Sequence, residues 1–517
     1  MSASTIFSKS FMDEVLGRFG DDPDRVFYEA ANRRYTGGYM LEKSALVRDA
    51  LAESGVRKGD RCAFSSSDNV GAMVAIFGIM RAGGIVVGLP NFQSSNMWSY
   101  FLADSEPSAV VSEDCLCDRV RGAMEAASVR APLIRMDDQG SLVDDPPRRS
   151  FDDAPIREGD PVAIRYTSGS TGDPKGVVLS NRYMVGSLKC FSIALGCRDG
   201  GRFLMLTPPT EAIGYIQGIV APCRGEVTVI YSGKPTSEGI LMAIEESEVT
   251  DTFLPTTQMV KLADSPAVEF ADLSSLDRML YAGQSFFPDA IDRARRKLGC
   301  GLSQVYGQTE TGPVAWLSPE DHETGDLSII ATAGRPMPLD EISIEVRDQG
   351  TGETLEVGGR GHIFVKSPYG AKEIWNQRLP DEPDGGWWDT EDIGSFDEDG
   401  RLSVKGRDRD VIFFRGFTIF CRDVEECLMG FPGIREAAVH PVTDPVDGEH
   451  VFAWVVPETP SHRVDISALG GRVEEELGAW YRPSRIEVIE EMPTKSALAK
   501  FDKALLRDRA EALVSAE

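Results

Sequence analysis

The sequence predicts an α/β protein with a large N-terminal domain of layered α/β subdomains plus a β-rich subdomain, followed by a small α+β C-terminal domain. Three observations lead there. Short apolar strand-like runs alternate with helical segments through the first 300 residues, a pattern of helices layered on largely parallel sheet. From about 340 to 406 the texture changes to short strands separated by Gly and Asp turns. Gly406-Arg407-Asp408-Arg409-Asp410 is a charged break, and a compact α+β pattern follows it. The expected domains are therefore 1–406 and 407–517.

In chain order, the strand-like runs are 61–64, 85–89, 109–112, 163–166, 203–207, 227–231 and 251–254. Helical segments are expected over 41–54, 69–82, 237–247 and 289–297. The most apolar stretch, 72–90, is interrupted by Arg81 and several glycines. It falls short of a clean spanning helix, and a buried helix followed by a buried strand is expected. Strands of the β-rich subdomain are placed at 343–346, 362–366 and 402–404. The acidic run Asp397–Asp399 precedes Gly400 and reads as a hairpin turn, since Asp-Gly is a turn signal.

Composition narrows the function classes. The 517 residues are 42% hydrophobic and 26% charged, ordinary for a globular protein. Lys and Arg total 54 against 82 Asp and Glu, a formal charge of −28. Non-specific nucleic-acid binding runs on Lys and Arg, so this balance disfavours it, along with docking on an anionic membrane. ATP remains open, because a local basic pocket can sit in an acidic protein. No secretory signal is apparent at the N-terminus. Nine cysteines form no paired framework, which fits a reducing cytoplasm, and Cys115 and Cys117 read as ordinary free thiols. The five histidines have no zinc-like spacing.

The most informative stretch is YTSGSTGDPKGVVLS, residues 166–180. Glycines let a backbone close around an anion. Successive backbone N–H groups can then form an anion-binding concavity, to which hydroxyls add donors. Thr167, Ser168, Gly169, Ser170, Thr171 and Gly172 supply these parts, and Lys175 adds a point charge. The spacing is not that of a Walker loop, which needs Gly-Lys-Ser/Thr at its end. A second stretch, QVYGQTETG (304–312), carries Tyr306, Gly307, Thr309 and Glu310. A carboxylate beside a phosphate site is the expected Mg²⁺ ligand, since hard cations prefer oxygen. Taken singly, Tyr306 is a core aromatic and Glu310 a surface charge. A third, GWWDTEDIGSFDEDGRLSVKGR (386–407), holds Asp392, which could take a diol, and Arg407. The fourth, MPTKSALAKFDKALLRD, places Lys495, Lys500 and Lys503 before a final helix.

In this order and combination the four stretches resemble the adenylate-forming superfamily: acyl-CoA synthetases, amino-acid adenylation domains and luciferase-like enzymes. The resemblance covers nearly the whole chain. It implies attack of a carboxylate on the α-phosphate of ATP, giving an acyl-adenylate and pyrophosphate. Rotation of a mobile C-terminal domain and transfer to a thiol, of CoA or of a phosphopantetheinyl carrier protein, would follow. Alternatives are capture by a non-thiol nucleophile, or a degenerate adenylate-binding protein without activity. By similarity, the 167–175 loop handles the β- and γ-phosphates, Thr309 the α-phosphate and Glu310 the Mg²⁺. Tyr306 with Tyr281, Gly283 and Gln284 would frame the adenine, and Asp392 and Arg407 would hold the ribose. Arg409 occupies the hinge position. Lys500 matches the lysine that bridges α-phosphate and attacking carboxylate.

Some positions depart from the family pattern. Glu391 stands where glycine is usual, Ala499 replaces the glycine before the catalytic lysine, and Cys421 replaces a proline. For the acyl pocket, the resemblance points between TPPTEAIGYIQG (207–218) and the strands leading to Tyr281 and Tyr306. Glu211, Gly214, Tyr215 and Tyr281 are its candidates. Glu211 is either a solvent-facing or capping glutamate, or a carboxylate that pairs with an amino group on the substrate.

Overall fold

The computed structural model describes residues 10–67, 69–167, 174–196, 199–283, 288–371, 373–376, 386–407, 411–414, 417–444, 448–459, 463–494 and 501–515. Ser168, Gly169, Ser170, Thr171, Gly172, Gln284, Arg409, Lys495, Ala499 and Lys500 lie outside the described residues.

The expected alternation resolves into two large sheets. One places strands Val227–Ile230, Arg202–Met205, Asp251–Pro255, Arg278–Ala282 and Gly301–Gln308 side by side, all parallel. Strand Gly312–Leu317 then folds back antiparallel on Gly301–Gln308. The other runs Leu133–Met136, Ala109–Glu113, Arg61–Ser65, Ile85–Gly88 and Pro161–Thr167 in parallel, then Lys175–Ser180 and Glu373–Ile374 antiparallel. Parallel sheet is buried on both faces, so its strands read as continuous apolar runs.

Helix Val70–Arg81 is buried on every side, and the Asn69 side chain caps it by accepting from the Ala72 N–H. Its crossing with helix Gly37–Glu53 is close. A Cβ on Gly78 would fall 2.5 Å from a Val47 methyl. The 72–90 stretch is thus a core helix and a core strand, as expected. Among the described residues no helix is long and apolar enough to cross a membrane.

The β-rich subdomain is an antiparallel sheet of Ser343–Arg347, Gly361–Lys366, Trp388–Phe396 and Leu402–Arg407. Asp397 closes the predicted turn, its N–H bonded to Arg401 O at 3.0 Å. The final strand continues through Gly406 to Arg407, one residue past the predicted boundary. Beyond it, strands Ile434–Asp444, Gly448–Pro457 and Arg485–Val488 form a sheet. It packs with helices Cys421–Met429, Ile466–Leu477 and Lys503–Ser515 around cores of its own. Cys421 opens the first of these helices and is buried.

Candidate active site

The site is built on a hairpin. Strand Gly301–Gln308 turns through Thr309–Thr311 into Gly312–Leu317. Gly307 is required for this close return: a Cβ there would lie 2.0 Å from Gly312 O. Gly312 takes φ +67°, the left-handed region that favours glycine. Within the turn, the Gln308 N–H donates to Thr311 Oγ1 at 3.0 Å.

Three side chains converge on one carboxylate. Tyr306 Oη donates to Asp392 Oδ2 at 2.7 Å, and Gln308 Nε2 donates to the same oxygen at 2.8 Å. Arg407 Nε pairs with Asp392 Oδ1 at 3.1 Å. Strand pairing sets this up, since Asp392 lies directly across from Arg407. Gln308 Nε2 also reaches Thr390 O at 2.7 Å, tying the hairpin to the β-rich sheet. Burial and the neighbouring carboxylate hold the Tyr306 phenol well above its ordinary pKa, so it stays a hydrogen-bond donor. Charge-assisted bonds of this kind are the strong ones.

Beside Asp392, Glu391 adopts φ +57°. The glycine usual at this position therefore has a conformational reason, because a left-handed backbone costs any residue with a Cβ. Glu391→Gly is expected to raise the thermal midpoint by about 1–2 °C, since only a loose 3.8 Å contact with Arg407 is lost. Differential scanning calorimetry checks this, and a lowered midpoint would refute it.

Glu310 projects from the hairpin turn, half-buried, and its carboxylate has no hydrogen bond or ion pair among the described residues. Its backbone O accepts from the Ala371 N–H at 2.6 Å. That bond begins a strap. Residues 373–374 pair with Val177 and Val178, and the Trp375 N–H donates to Gly176 O at 2.6 Å. The strap thus links the Glu310 turn to the strand that follows the phosphate-loop candidate. Thr167 and Lys175 are cross-strand partners at the loop's two ends. The Lys175 ammonium also has no ion pair among the described residues.

Helix Ser95–Ser105 pins both ends of that loop. Tyr166 Oη donates to Asp104 Oδ2 at 2.6 Å, and Tyr100 Oη donates to Pro174 O at 2.9 Å. Phe101 stacks on Tyr166 with ring centroids 4.3 Å apart. Asp104 also accepts from Asn376 Nδ2 at 3.1 Å, at the end of the strap. Tyr166→Phe is expected to raise KM for ATP about 5-fold, the equivalent of one hydrogen bond of ~1 kcal/mol, and to leave KM for the acid unchanged. Equal rises in both constants would contradict it.

A cation beside Glu310 would find one free protein carboxylate. Among the described residues no group of three or more His, Cys, Asp or Glu could hold a metal. Mg²⁺ suits such a place, because it commonly takes one or two carboxylates and fills its sphere with phosphate oxygens and water.

Three expectations need correction. Tyr281 is 1% exposed and lies in the core on the far face of its strand, where its hydroxyl meets His322 Nε2 at 2.8 Å. Its neighbours Leu280 and Ala282 face the other core. Tyr281 therefore points into that core, whereas Gly283 after it takes φ +107° in an exposed turn. Glu211 is neither solvent-facing nor a side-chain cap. Arg165 Nη1 pairs with its Oε2 at 3.0 Å, and both side chains are largely buried. Gly214 is set by packing. A Cβ there would fall 2.0 Å from Pro208 O, so its role is close packing of helix Ala212–Arg224 against the preceding loop. Tyr215 does line a cavity with Glu211. Its wall is the second sheet, not the strands of Tyr281 and Tyr306.

Gln308, Asp104, Tyr100 and Arg165 escaped the sequence reading. Gln308 lies inside the 304–312 motif, which was signal enough to find it. The other three carry no local signal.

A chain with this hairpin, carboxylate cluster and pinned loop is an AMP-binding enzyme. It belongs to that family: the family's AMP-binding enzyme model matches residues 18–375, and that of the AMP-binding enzyme C-terminal domain matches 423–497. Feruloyl-CoA synthase of an Amycolatopsis species is 29% identical over 475 residues, covering 91% of this chain and 93% of that one. A fatty acid–[acyl-carrier-protein] ligase, ScoC of Streptomyces coeruleorubidus, is 27% identical over 488 residues, covering 92% of each. The amide bond synthetase McbA from Marinactinospora thermotolerans superposes with a TM-score of 0.85 at 28% identity, covering 96% of this chain and 99% of that one.

Proposed function

We propose that the chain activates a carboxylic acid with ATP, forming an acyl-adenylate and pyrophosphate, and passes the acyl group to a thiol of CoA or of a phosphopantetheinyl carrier protein. The observation that carries this is the joining of three parts: the Asp392 cluster, the free Glu310 carboxylate on the same hairpin, and the strap from Glu310 to the phosphate loop.

The chemistry asks little of a general base. A carboxylate is already a nucleophile, so the protein must align two anions and neutralise charge at the transferred centre. Asp392 and Arg407 hold the ribose in this reading, and the ring of Tyr306 flanks the base. Thr167 and Lys175, at the ends of the pinned loop, hold the leaving phosphates. Thr309 reaches the α-phosphate from the hairpin turn. Glu310 would hold Mg²⁺, which supplies charge neutralisation when bound. Lys500, on the small domain, would bridge the α-phosphate and the attacking carboxylate, and withdrawing it would open the site for the acceptor.

The relatives favour thiol acceptors: one acts on CoA by its name and another on an acyl carrier protein. The amide bond synthetase neighbour gives a second reading, capture of the acyl group by an amine. Mass spectrometry of reactions holding ATP, an acid, and CoA, a phosphopantetheinyl carrier or an amine separates them. A thioester product supports the first reading, and an amide without thioester replaces it with the second.

A further inference from the structure

Where the base of the phosphate loop meets the N-terminus of helix Ala212–Arg224, a small cavity of about 40 Å³ opens against the second sheet. Phe64 and Ile164 give it an apolar wall. The rest is polar. Arg165 and Glu211 form an ion pair at 3.0 Å, with side chains 16% and 14% exposed. The hydroxyls of Thr210 and Tyr215 are buried without a hydrogen-bond partner among the described residues. The cavity adjoins the phosphate loop, since Arg165 and Tyr166 in its lining immediately precede Thr167.

Each class of ligand meets this lining differently. An ammonium group drawn to Glu211 must compete with Arg165 and faces a like charge. A second carboxylate drawn to Arg165 meets the same problem from Glu211. Breaking one partner from a largely buried ion pair is costly. A bare hydrocarbon leaves two buried hydroxyls unpaired, which is also unfavourable. A neutral group that both donates and accepts meets the two unpaired hydroxyls and leaves the ion pair intact: it accepts from Tyr215 and donates to Thr210.

We propose that this cavity is the subsite for the far end of the acid, and that it selects acids ending in a hydroxyl or carboxamide over those ending in an ammonium, a second carboxylate or plain hydrocarbon. This rests on the adenylation reading above and names the substrate class for it. It also replaces the expectation that Glu211 recruits an amino-substituted acid.

The test is a size-matched acid series ending in hydroxymethyl, carboxamide, aminomethyl, carboxyl or ethyl. Adenylate is trapped with hydroxylamine and kcat/KM is compared. Hydroxymethyl and carboxamide acids are expected to exceed each of the others by at least about 10-fold. Tyr215→Phe and Thr210→Val keep the shape and remove one hydroxyl each, and each should narrow the hydroxymethyl-to-ethyl ratio about 5-fold. Glu211→Gln frees Arg165 and should raise the relative rate of the carboxyl-ended acid about 10-fold. Turnover with aminomethyl or ethyl acids preferred, or ratios unmoved in Tyr215→Phe, overturns this specificity and leaves adenylation standing. No adenylate from any acid overturns both.

Discussion

Lys500→Ala is expected to lower acid-dependent adenylation by at least about 10³-fold, the loss of roughly 4 kcal/mol of charge stabilisation at the transferred phosphorus. Transfer from a preformed acyl-adenylate to the acceptor should survive, because the lysine acts only while the phosphate centre is charged. The contrast between half-reactions is the informative part. Lys503 is the nearby competitor for the role, and the fold argues against it. Its ammonium lies 3.3 Å from Glu425 Oε1, an oxygen that also accepts the Val439 N–H at 3.0 Å. Lys503 is therefore tied to the core of the small domain. On either side of the stretch that carries Lys495 and Lys500, Thr494 is bridged to Phe501 and the Asp502 N–H bonds to Pro493 O at 2.7 Å. Lys503→Ala should cost stability and spare the chemistry. Equal loss of both half-reactions in Lys500→Ala would move the assignment to Lys495 or Lys503.

Asp392→Ala is expected to raise KM for ATP by about 100-fold, because one truncation leaves the Tyr306 hydroxyl, the Gln308 amide and the Arg407 guanidinium without their shared acceptor. KM for the acid should change little, since the cluster lies on the nucleotide side. Asp392→Asn keeps the shape and one oxygen, and should fall between wild type and alanine. Steady-state pyrophosphate release at varied ATP and acid checks this. A rise confined to KM for the acid would contradict the nucleotide assignment.

These residues were partly legible in the chain. Tyr306, Glu310, Asp392 and Arg407 announce themselves because they sit in short motifs whose order along the chain is distinctive. The parallel strands were readable for a simple reason: both faces are buried, so each appears as an apolar run. That same burial hid the direction of Tyr281. In a strand with two apolar faces, period-two alternation carries no polarity signal, and nothing local says that Met279 and Tyr281 face one core while Leu280 and Ala282 face the other. The partner of Glu211 was equally hidden. Arg165 lies 46 positions earlier in an apolar strand, and only the approach of helix Ala212–Arg224 to the second sheet brings them together. Even that approach depends on a glycine, since a Cβ on Gly88 would lie 2.2 Å from Thr210 O. The clamp on the phosphate loop escaped for the same reason, because Asp104 and Tyr100 act across the fold on a motif more than 60 residues away.

Acid-dependent exchange of radiolabelled pyrophosphate into ATP, with Mg²⁺ and without any thiol or amine, tests the central claim most directly. Formation of an enzyme-bound acyl-adenylate is reversible and needs no acceptor, so exchange should appear with at least one acid of the series, depend on Mg²⁺ and vanish in Lys500→Ala. Absence of exchange with every acid, or exchange that proceeds equally without acid, would contradict it.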